Sequence, residues 1–303
     1  MQHILSADIF DVASVNALFE EANRFYALNR EVQKKAPELG GRTLINLFYE
    51  NSTRTRSSFE LAGKRLGMDV INISTSQSSV KKGETLLDTA MTLNAMRPDV
   101  IVLRHPQSGA AALFSDFVQC HVVNAGDGAH QHPTQALLDA FTLWKRGREF
   151  SGLNVLICGD ISHSRVARSN VQLLQTLGAN VTFCGPKLLM PSQVQTLGCK
   201  VTHDFDAALP DADVIMLLRV QNERIEGKAM ASVREYFQRY ALTYARLEKA
   251  RKDAIVMHPG PINRGVEIET ALADDLERTT IIDQVEAGVA IRQAILTTLL
   301  KKD

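Results

Sequence analysis

Short runs of apolar and β-branched residues alternate with longer stretches of helical periodicity along this chain. In the first half the strand candidates span 42–50, 69–73, 99–105 and 121–126, with helical stretches near 57–66, 84–96 and 109–118. A second series of strand candidates spans 153–160, 180–186, 213–220 and 254–261. Such alternation is typical of a parallel sheet covered by helices.

The two series predict an α/β fold of two doubly wound domains. Each domain is expected to be a parallel β-sheet flanked by helices, with the active site in the interdomain crevice. A helical stretch at 133–146 follows the first series, and an amphipathic stretch at 284–300 lies near the end of the sequence. We expect a first domain of residues 1–132 and a second of residues 133–283, with the C-terminal helix, 284–303, packing back on the first.

The charge balance argues against bulk attraction to polyanions. Lys plus Arg and Asp plus Glu both total 34, so any anion recognition must be local. No apolar run approaches the roughly 20 residues that span a bilayer, and the N-terminus lacks the pattern of a secretory signal. The four cysteines show no CxxC spacing. We therefore expect a cytoplasmic protein with neither nucleic acid nor membrane as a partner.

One short stretch concentrates anion-binding groups. ENSTRTRSSFE, residues 50–60, follows a strand candidate and leads into a helix. The start of a helix favours an anion, and Arg54 with the hydroxyls of Ser52, Thr53 and Thr55 could hold phosphate oxygens. The alternative is ordinary N-capping by Ser or Thr, for which one hydroxyl would suffice. We favour a phosphate cradle, although no Walker A motif is present.

Two further polar stretches lie in the first half, and both are ambiguous. SVKKGET, residues 79–85, could be a mere surface connection before a helix. LRHP, residues 103–106, places Arg104 at the carboxyl end of a strand, where such folds bind ligands, but a solvated arginine competes with that interpretation.

GDGAHQHPTQ, residues 126–135, carries two histidines between a strand and a helix. A metal site is disfavoured because no Cys, Asp or Glu completes a ligand set at the usual spacing. His132 is better interpreted as a donor to a polarised carbonyl, and Gln135 as an amide-binding group.

Three stretches in the second half also follow strand candidates. GDISHSR, residues 159–165, lacks the GxGxxG of a dinucleotide turn, but Arg165 could bind a carboxylate. LRVQNER, 218–224, again has an arginine at a strand end, and HPGPINRG, 258–265, is either a rigid structural loop or a set of aimed carbonyl oxygens. Together the stretches suit transfer of an acyl-like group from phosphate to an amine by positioning and electrostatics, without a catalytic triad or a cofactor.

The set STRTR, SSVKKGET, LRHP, GDGxxQHPTQ, GDISHSR, RVQNER and HPGPINRG resembles the aspartate carbamoyltransferase family, in order from about residue 40 to the C-terminal helix. RVQNER and HPGPxNRG indicate aspartate as the acceptor, since ornithine enzymes usually carry HCLP where this chain has HPGP. The resemblance implies that carbamoyl phosphate and L-aspartate condense to N-carbamoyl-L-aspartate and phosphate, a step of pyrimidine biosynthesis.

The resemblance also implies roles for individual residues. For carbamoyl phosphate they are Ser52, Thr53, Arg54, Thr55 and Arg104 at the phosphate, His132 with Thr55 and Arg104 at the carbonyl oxygen, and Gln135 with the carbonyls of Pro259 and Gly260 at the amide. For L-aspartate they are Arg165, Arg219, Gln221, Lys82, Gly260 and Pro261.

In the family, the loop equivalent to SVKKGE reaches into the neighbouring subunit's site. Ser78 and Lys82 would then act across the interface of a homotrimer, with Ser76 and Ser79 as competitors for the role of Ser78. A regulatory chain or a dihydroorotase could be a further partner. The competing hypotheses are another amine acceptor such as ornithine, a non-catalytic scaffold and, last, a dinucleotide-dependent oxidoreductase.

Overall fold

The computed structural model describes residues 2–74, 84–221 and 233–301, and these form two compact units. The first unit runs to Phe141 and resumes at Val285, and the second spans Thr142–Gln284. The division therefore lies after Phe141 rather than after residue 132.

The first unit is built on a four-stranded parallel sheet. Its elements in chain order are α1 (Val12–Leu28), β1 (Thr43–Phe48), α2 (Thr53–Arg65), β2 (Asp69–Ser74), α3 (Leu86–Ala95), β3 (Val100–His105), α4 (Ala110–Ser115), β4 (His121–Asp127) and α5 (Pro133–Lys145), of which the last extends into the second unit. The strand order is β2-β1-β3-β4. Apolar side chains of β1, β3 and α4 pack into one core, with Ile45, Leu103 and Phe114 almost fully buried.

The second unit is built on a five-stranded parallel sheet. Its elements are β5 (Asn154–Cys158), α6 (Arg165–Thr176), β6 (Asn180–Cys184), β7 (Lys200–Thr202), α7 (Phe205–Ala208), β8 (Val214–Leu217), α8 (Val233–Tyr240), α9 (Tyr244–Leu247), β9 (Ile255–Met257) and α10 (Thr270–Ala273). Two 3₁₀ turns, Lys187–Leu189 and Val194–Leu197, precede β7. Helix α11 (Ile281–Leu300) begins in this unit and continues into the first.

The predicted fold class is confirmed, since each of the eight strand candidates coincides with a strand of a parallel sheet to within a few residues. No bounds were predicted for helix α1, for strand β7 or for the helices α6 to α10 of the second unit. Helix α1 has a capping box from Asp11 to Ser14 and an apolar face with Val15, Leu18 and Phe19, a signal that the sequence carried. Strand β7 has only three residues at an edge of its sheet, too few to show a period.

Each sheet contains a point where the strand order reverses. In the first unit the chain places β2 on one side of β1 and β3 on the other, and in the second it places β6 and β8 on opposite sides of β5. In open α/β sheets, ligands bind outside the carboxyl ends of the strands at such a point. The topology therefore selects two edges, one in each unit, as candidate binding sites.

Among the helices of the described ranges, none is long and apolar enough to cross a membrane.

Candidate active site

The start of α2 lies at the carboxyl end of β1 and lacks an ordinary cap. The helix begins at Thr53, earlier than the predicted 57, which puts the STRTR residues in its first turn. Ser52 occupies the N-cap position in an extended conformation, yet within the described chain its side chain makes no capping hydrogen bond. By contrast, the side chains that precede α1, α3 and α6 accept backbone N–H groups. Ordinary capping therefore does not explain Ser52.

The first turn of α2 presents positive groups to its open end. The first backbone N–H groups of a helix have no intrahelical acceptor, and the macrodipole adds partial positive charge there. No acidic residue lies in this turn. Thr53 and Arg54 are exposed, whereas Thr55 is buried. The turn can thus offer backbone amides, hydroxyls and a guanidinium to one anion.

Arg104 lies beside this turn because β3 pairs with β1. Phe48, the last residue of β1, pairs in register with Arg104. The Nε atom of Arg104 lies 3.3 Å from a carboxylate oxygen of Glu50, and its Nη1 donates to the carbonyl of Ala125 at 3.4 Å. These contacts hold the guanidinium at the sheet edge.

The loop after β4 is organised by a buried carboxylate, that of Asp127. Its oxygens accept the backbone N–H of Gly109 at 2.7 Å and of Gln131 at 3.0 Å, and the side chain of His130 lies 3.0 Å away. Burial alone would raise the pKa of Asp127, but these hydrogen bonds and that from Asn124 hold it below its ordinary value. Through its contact with Asp127, His130 therefore helps to hold this loop in place.

Helix α5 then begins, with Pro133 in its first turn as predicted. His132 is 3% exposed, and its carbonyl accepts the N–H of Gln135 at 2.9 Å. The Gln135 side chain donates from Nε2 to Asp139, one turn further along, at 2.9 Å. That bond fixes the amide orientation and presents Oε1 as an acceptor, the group that a ligand NH₂ requires.

In the second unit, α6 starts at Arg165, which is buried at the carboxyl edge of β5. Ser164 caps this helix by accepting the N–H of Ala167 at 3.1 Å. Gly159 leaves β5 with φ +146°, and a Cβ there would lie 2.6 Å from the carbonyl oxygen of Leu218. The glycine of GDISHSR therefore permits close approach of the segments that follow β5 and β8, rather than a dinucleotide turn.

Arg219 and Gln221 follow β8 and are joined by hydrogen bonds to neighbouring strand ends. Arg219 Nε donates to Oδ1 of Asn263 at 3.4 Å. Gln221 donates from Nε2 to the carbonyl of His163 at 2.9 Å, and its backbone N–H lies 3.4 Å from the carboxylate of Asp160. The Gln221 amide nitrogen is thus engaged within the unit, which leaves its Oε1 as the ligand-facing candidate.

The loop after β9 carries Pro259 and Gly260, which are partly buried, and Pro261, which is exposed. The Gly260 N–H donates to Nδ1 of the buried His258 at 2.9 Å. Asn263 donates to the carbonyl of Val220 at 3.1 Å, which ties this loop to the segment after β8.

The structure thus collects the predicted site residues into two groups. The first unit gathers Ser52, Thr53, Arg54, Thr55, Arg104, His132 and Gln135 at the ends of β1, β3 and β4. The second gathers Arg165, Arg219, Gln221, Pro259, Gly260 and Pro261 at the ends of β5, β8 and β9. Ser78 and Lys82 lie outside the described residues.

Supporting residues were missed by the sequence analysis. Asp139, Asp160, Asn263 and Glu267 each bond to a predicted site residue or to its loop. Asp160 lies within GDISHSR and Asn263 within HPGPINRG, but neither was singled out there, and Asp139 and Glu267 lie outside every motif. Among the described residues, no group of three or more His, Cys, Asp and Glu side chains could hold a metal ion.

The two parts of the chain that carry these groups match two domains of one known protein family. Residues 2–145 match the model of the aspartate/ornithine carbamoyltransferase carbamoyl-P binding domain, and residues 151–299 match the Asp/Orn binding domain of the same family. The chain belongs to the aspartate/ornithine carbamoyltransferase family.

Individual relatives agree over nearly the whole length. The aspartate carbamoyltransferase catalytic subunit of Parvibaculum lavamentivorans is 55% identical over 98% of this chain and 91% of its own length. That of Rhizorhabdus wittichii is 58% identical over 94% of this chain and 90% of its own.

Solved structures extend the similarity to the fold. Aspartate transcarbamoylase from Trypanosoma cruzi, in complex with N-(phosphonacetyl)-L-aspartic acid, has a TM-score of 0.88 at 34% identity and covers 99% of this chain and 96% of that one. The catalytic subunit of M. jannaschii aspartate transcarbamoylase has a TM-score of 0.86 at 35% identity and covers 100% of this chain and 99% of that one.

The uncapped start of α2 predicts a conflict between stability and anion binding. Ser52→Asp should raise the free energy of unfolding by about 0.5–1 kcal/mol, because a carboxylate at the N-cap accepts backbone N–H groups and complements the macrodipole. The same charge should weaken inorganic phosphate binding at least tenfold. Thermal unfolding and calorimetric titration measure the two quantities.

Ser52→Ala is the matched control for that substitution. Its thermal stability should stay close to the parent value, since the Ser52 side chain makes no capping bond to lose. Tighter phosphate binding by Ser52→Asp would contradict an anion site at this turn.

Proposed function

We propose that this protein transfers the carbamoyl group of carbamoyl phosphate to the α-amine of L-aspartate, giving N-carbamoyl-L-aspartate and phosphate for pyrimidine biosynthesis. The observation that carries the choice of acceptor is the placement of Arg165 and Arg219 at the ends of the adjacent strands β5 and β8. Two guanidinium groups suit a substrate with two carboxylates.

The phosphate of the donor is assigned to the start of α2. Ser52, Thr53, Arg54 and Thr55 would supply backbone and side-chain donors, and Arg104 would supply a second guanidinium. Negative charge accumulates on this phosphate as it leaves, so donors that are already in place stabilise the transition state more than the ground state.

The carbonyl oxygen of the donor is assigned to Thr55, Arg104 and His132. When the amine attacks the carbamoyl carbon, this oxygen becomes an oxyanion, and preorganised donors lower its energy. The carbamoyl NH₂ group would be held by Oε1 of Gln135 and by the backbone carbonyls of Pro259 and Gly260. Asp139 supports this role, because it accepts from Gln135 Nε2 and so directs the amide oxygen away from itself.

L-Aspartate is assigned to Arg165 and Arg219, with Gln221, Gly260, Pro261 and Lys82 assisting. Its deprotonated α-amine attacks the carbamoyl carbon, a tetrahedral intermediate forms, and the bond to the phosphate oxygen breaks. The departing phosphate can accept the amine proton, so the reaction needs no dedicated base from the protein. Positioning and electrostatics therefore carry the rate enhancement.

We also propose that the active unit is a cytoplasmic homotrimer in which Ser78 and Lys82 act in a neighbouring subunit's site. Support comes from the resemblance of SVKKGET to the family loop that crosses between subunits. A regulatory chain or a dihydroorotase remains a candidate for further assembly.

The test of the acceptor is a panel assay with carbamoyl phosphate and L-aspartate, L-ornithine or N-acetyl-L-ornithine. We expect carbamoylation of L-aspartate alone, because the cationic side chain of ornithine would meet the positive charge of Arg219. Quantitative chromatography of the carbamoylated products measures the outcome. Turnover of ornithine would favour the alternative acceptor, and no turnover of any amine would favour a non-catalytic scaffold.

Removing one guanidinium from the phosphate site should separate catalysis from folding. Arg54→Ala or Arg104→Ala is expected to lower kcat with L-aspartate by about 10²–10³, since each removes a preorganised donor. Circular dichroism should show an unchanged fold. Near-normal turnover by either variant would contradict the assignment of that arginine.

Subunit sharing predicts complementation between two inactive variants. Chains with Lys82→Ala and chains with Arg54→Ala are mixed, dissociated and reassembled. If Lys82 serves a neighbouring site, a mixed trimer contains a site with both residues intact, and activity should recover to a substantial fraction of the parent. If Lys82 serves its own subunit's site, every site keeps a defect and no recovery should appear.

A further inference from the structure

We infer that the buried residues Glu267 and His258 act as positioning residues for the acceptor site, and that they act through Asn263, which sets the orientation of Arg219. The inference rests on the proposed function, because that function assigns Arg219 to a carboxylate of L-aspartate. None of Glu267, His258 and Asn263 was assigned a substrate contact. All of them, and Arg219, belong to the second unit.

His258 and Glu267 form a buried ionisable pair. His258 is 1% exposed and Glu267 is fully buried, with Nε2 of the histidine 3.3 Å from Oε1 of the glutamate. A buried polar pair contributes less to stability than well-packed apolar side chains of the same volume often do. Among the residues that the structure describes, Glu267 Oε2 is buried and makes no hydrogen bond. Stability alone therefore gives no reason for a carboxylate at this position.

The hydrogen bonds of His258 determine its tautomer. Its Nδ1 accepts the backbone N–H of Gly260 at 2.9 Å, so Nδ1 carries no proton. In the neutral ring the proton then resides on Nε2, which donates to Glu267. The backbone N–H of His258 donates to Gln284 Oε1 at 2.9 Å, which anchors the residue at the end of β9. By accepting from Nε2, Glu267 favours the tautomer of His258 whose Nδ1 accepts the backbone N–H of Gly260.

Glu267 is also hydrogen-bonded to Asn263. Glu267 Oε1 accepts the backbone N–H of Asn263 at 2.7 Å, the shortest bond of this cluster. One carboxylate oxygen therefore binds both ends of the segment 258–263, which contains Pro259, Gly260 and Pro261. The shape of that loop depends on this shared acceptor.

The side chain of Asn263 is in turn hydrogen-bonded to that of Arg219. Asn263 Nδ2 donates to the carbonyl of Val220 at 3.1 Å, and its Oδ1 accepts from Arg219 Nε at 3.4 Å. The first bond fixes which amide atom is the acceptor, and the second restricts rotation of the guanidinium about the side-chain axis. A fork-shaped donor binds a carboxylate well in only one plane, so this restriction favours acceptor binding.

The experiment measures steady-state kinetics of the full chain carrying Asn263→Ala. We expect KM for L-aspartate to rise about tenfold, the size of one hydrogen bond to a charged group, while KM for carbamoyl phosphate changes less than about twofold. Arg264→Ala is the matched control. It lies next in the same loop, its guanidinium pairs with Asp274 at the surface, and both KM values should stay at the parent level.

Glu267 is tested by two substitutions. Glu267→Met keeps the volume but removes the acceptor, and it should raise KM for L-aspartate as Asn263→Ala does. Glu267→Gln keeps an oxygen that can accept from both Asn263 and His258, so it should restore KM to within about threefold of the parent, with the loss of charge as the remaining difference.

A double variant, Glu267→Met with Asn263→Ala, decides whether Glu267 acts through Asn263. The two changes should be strongly non-additive, with KM for L-aspartate close to that of Asn263→Ala alone. Additive effects, or equal rises in both KM values, would overturn the inference. If Glu267→Met does not fold, Asn263→Ala and Glu267→Gln still test it. Failure of the parent chain to carbamoylate L-aspartate would instead overturn the proposed function.

Discussion

Parallel pairing of β1 with β3 and of β5 with β8 is the constraint on which both binding groups depend. In-register parallel strands end at the same edge, so the segments that follow them begin side by side. Phe48 pairs with Arg104, and Cys158 pairs with Leu217. These pairings bring residues that are distant in sequence to neighbouring positions, and the strand order reverses at the same two places.

Arginines at these edges are useful only if their orientation is restricted, and hydrogen bonds from neighbouring strand ends provide the restriction. Glu50 contacts Arg104, and Asn263 contacts Arg219. A guanidinium that is already oriented loses less conformational entropy when it binds an anion.

A buried cation, Arg292 of α11, packs against the helix that carries part of the first group. Its guanidinium carbon lies 5.0 Å from the ring of Phe59 in α2. Burial lowers the pKa of Arg292 to about 9 against the opposing effect of Asp139, so it stays protonated near neutral pH.

The parts of the fold that could be predicted are those in which a strong pattern also has tertiary support. Seven of the eight predicted strands are mostly buried and carry short runs rich in apolar residues, whereas β2 is largely exposed. Strand β7 and the exact start of α2 could not be predicted, because a three-residue strand has no period and Ser52 to Thr55 have no strong helix signal of their own. Candidate site residues could be proposed from recognisable motifs, but the residues that support them could not. Asp139 and Glu267 look like ordinary surface carboxylates in sequence, and only the fold shows that both are buried.

The N-terminus of α2 differs from those of α1 and α3 in how its backbone N–H groups are capped. Asp11 and Thr85 each take part in a capping box, so the starts of α1 and α3 are satisfied within the chain. In the described structure the start of α2 has no side-chain cap and no acidic residue in its first turn, so neither of these offsets its partial positive charge. An acidic cap would stabilise the helix but would occupy the donors that an anionic substrate needs. The missing cap therefore fits the proposed phosphate site, which also gives a reason for the concentration of hydroxyls and arginines in a chain whose formal net charge is zero.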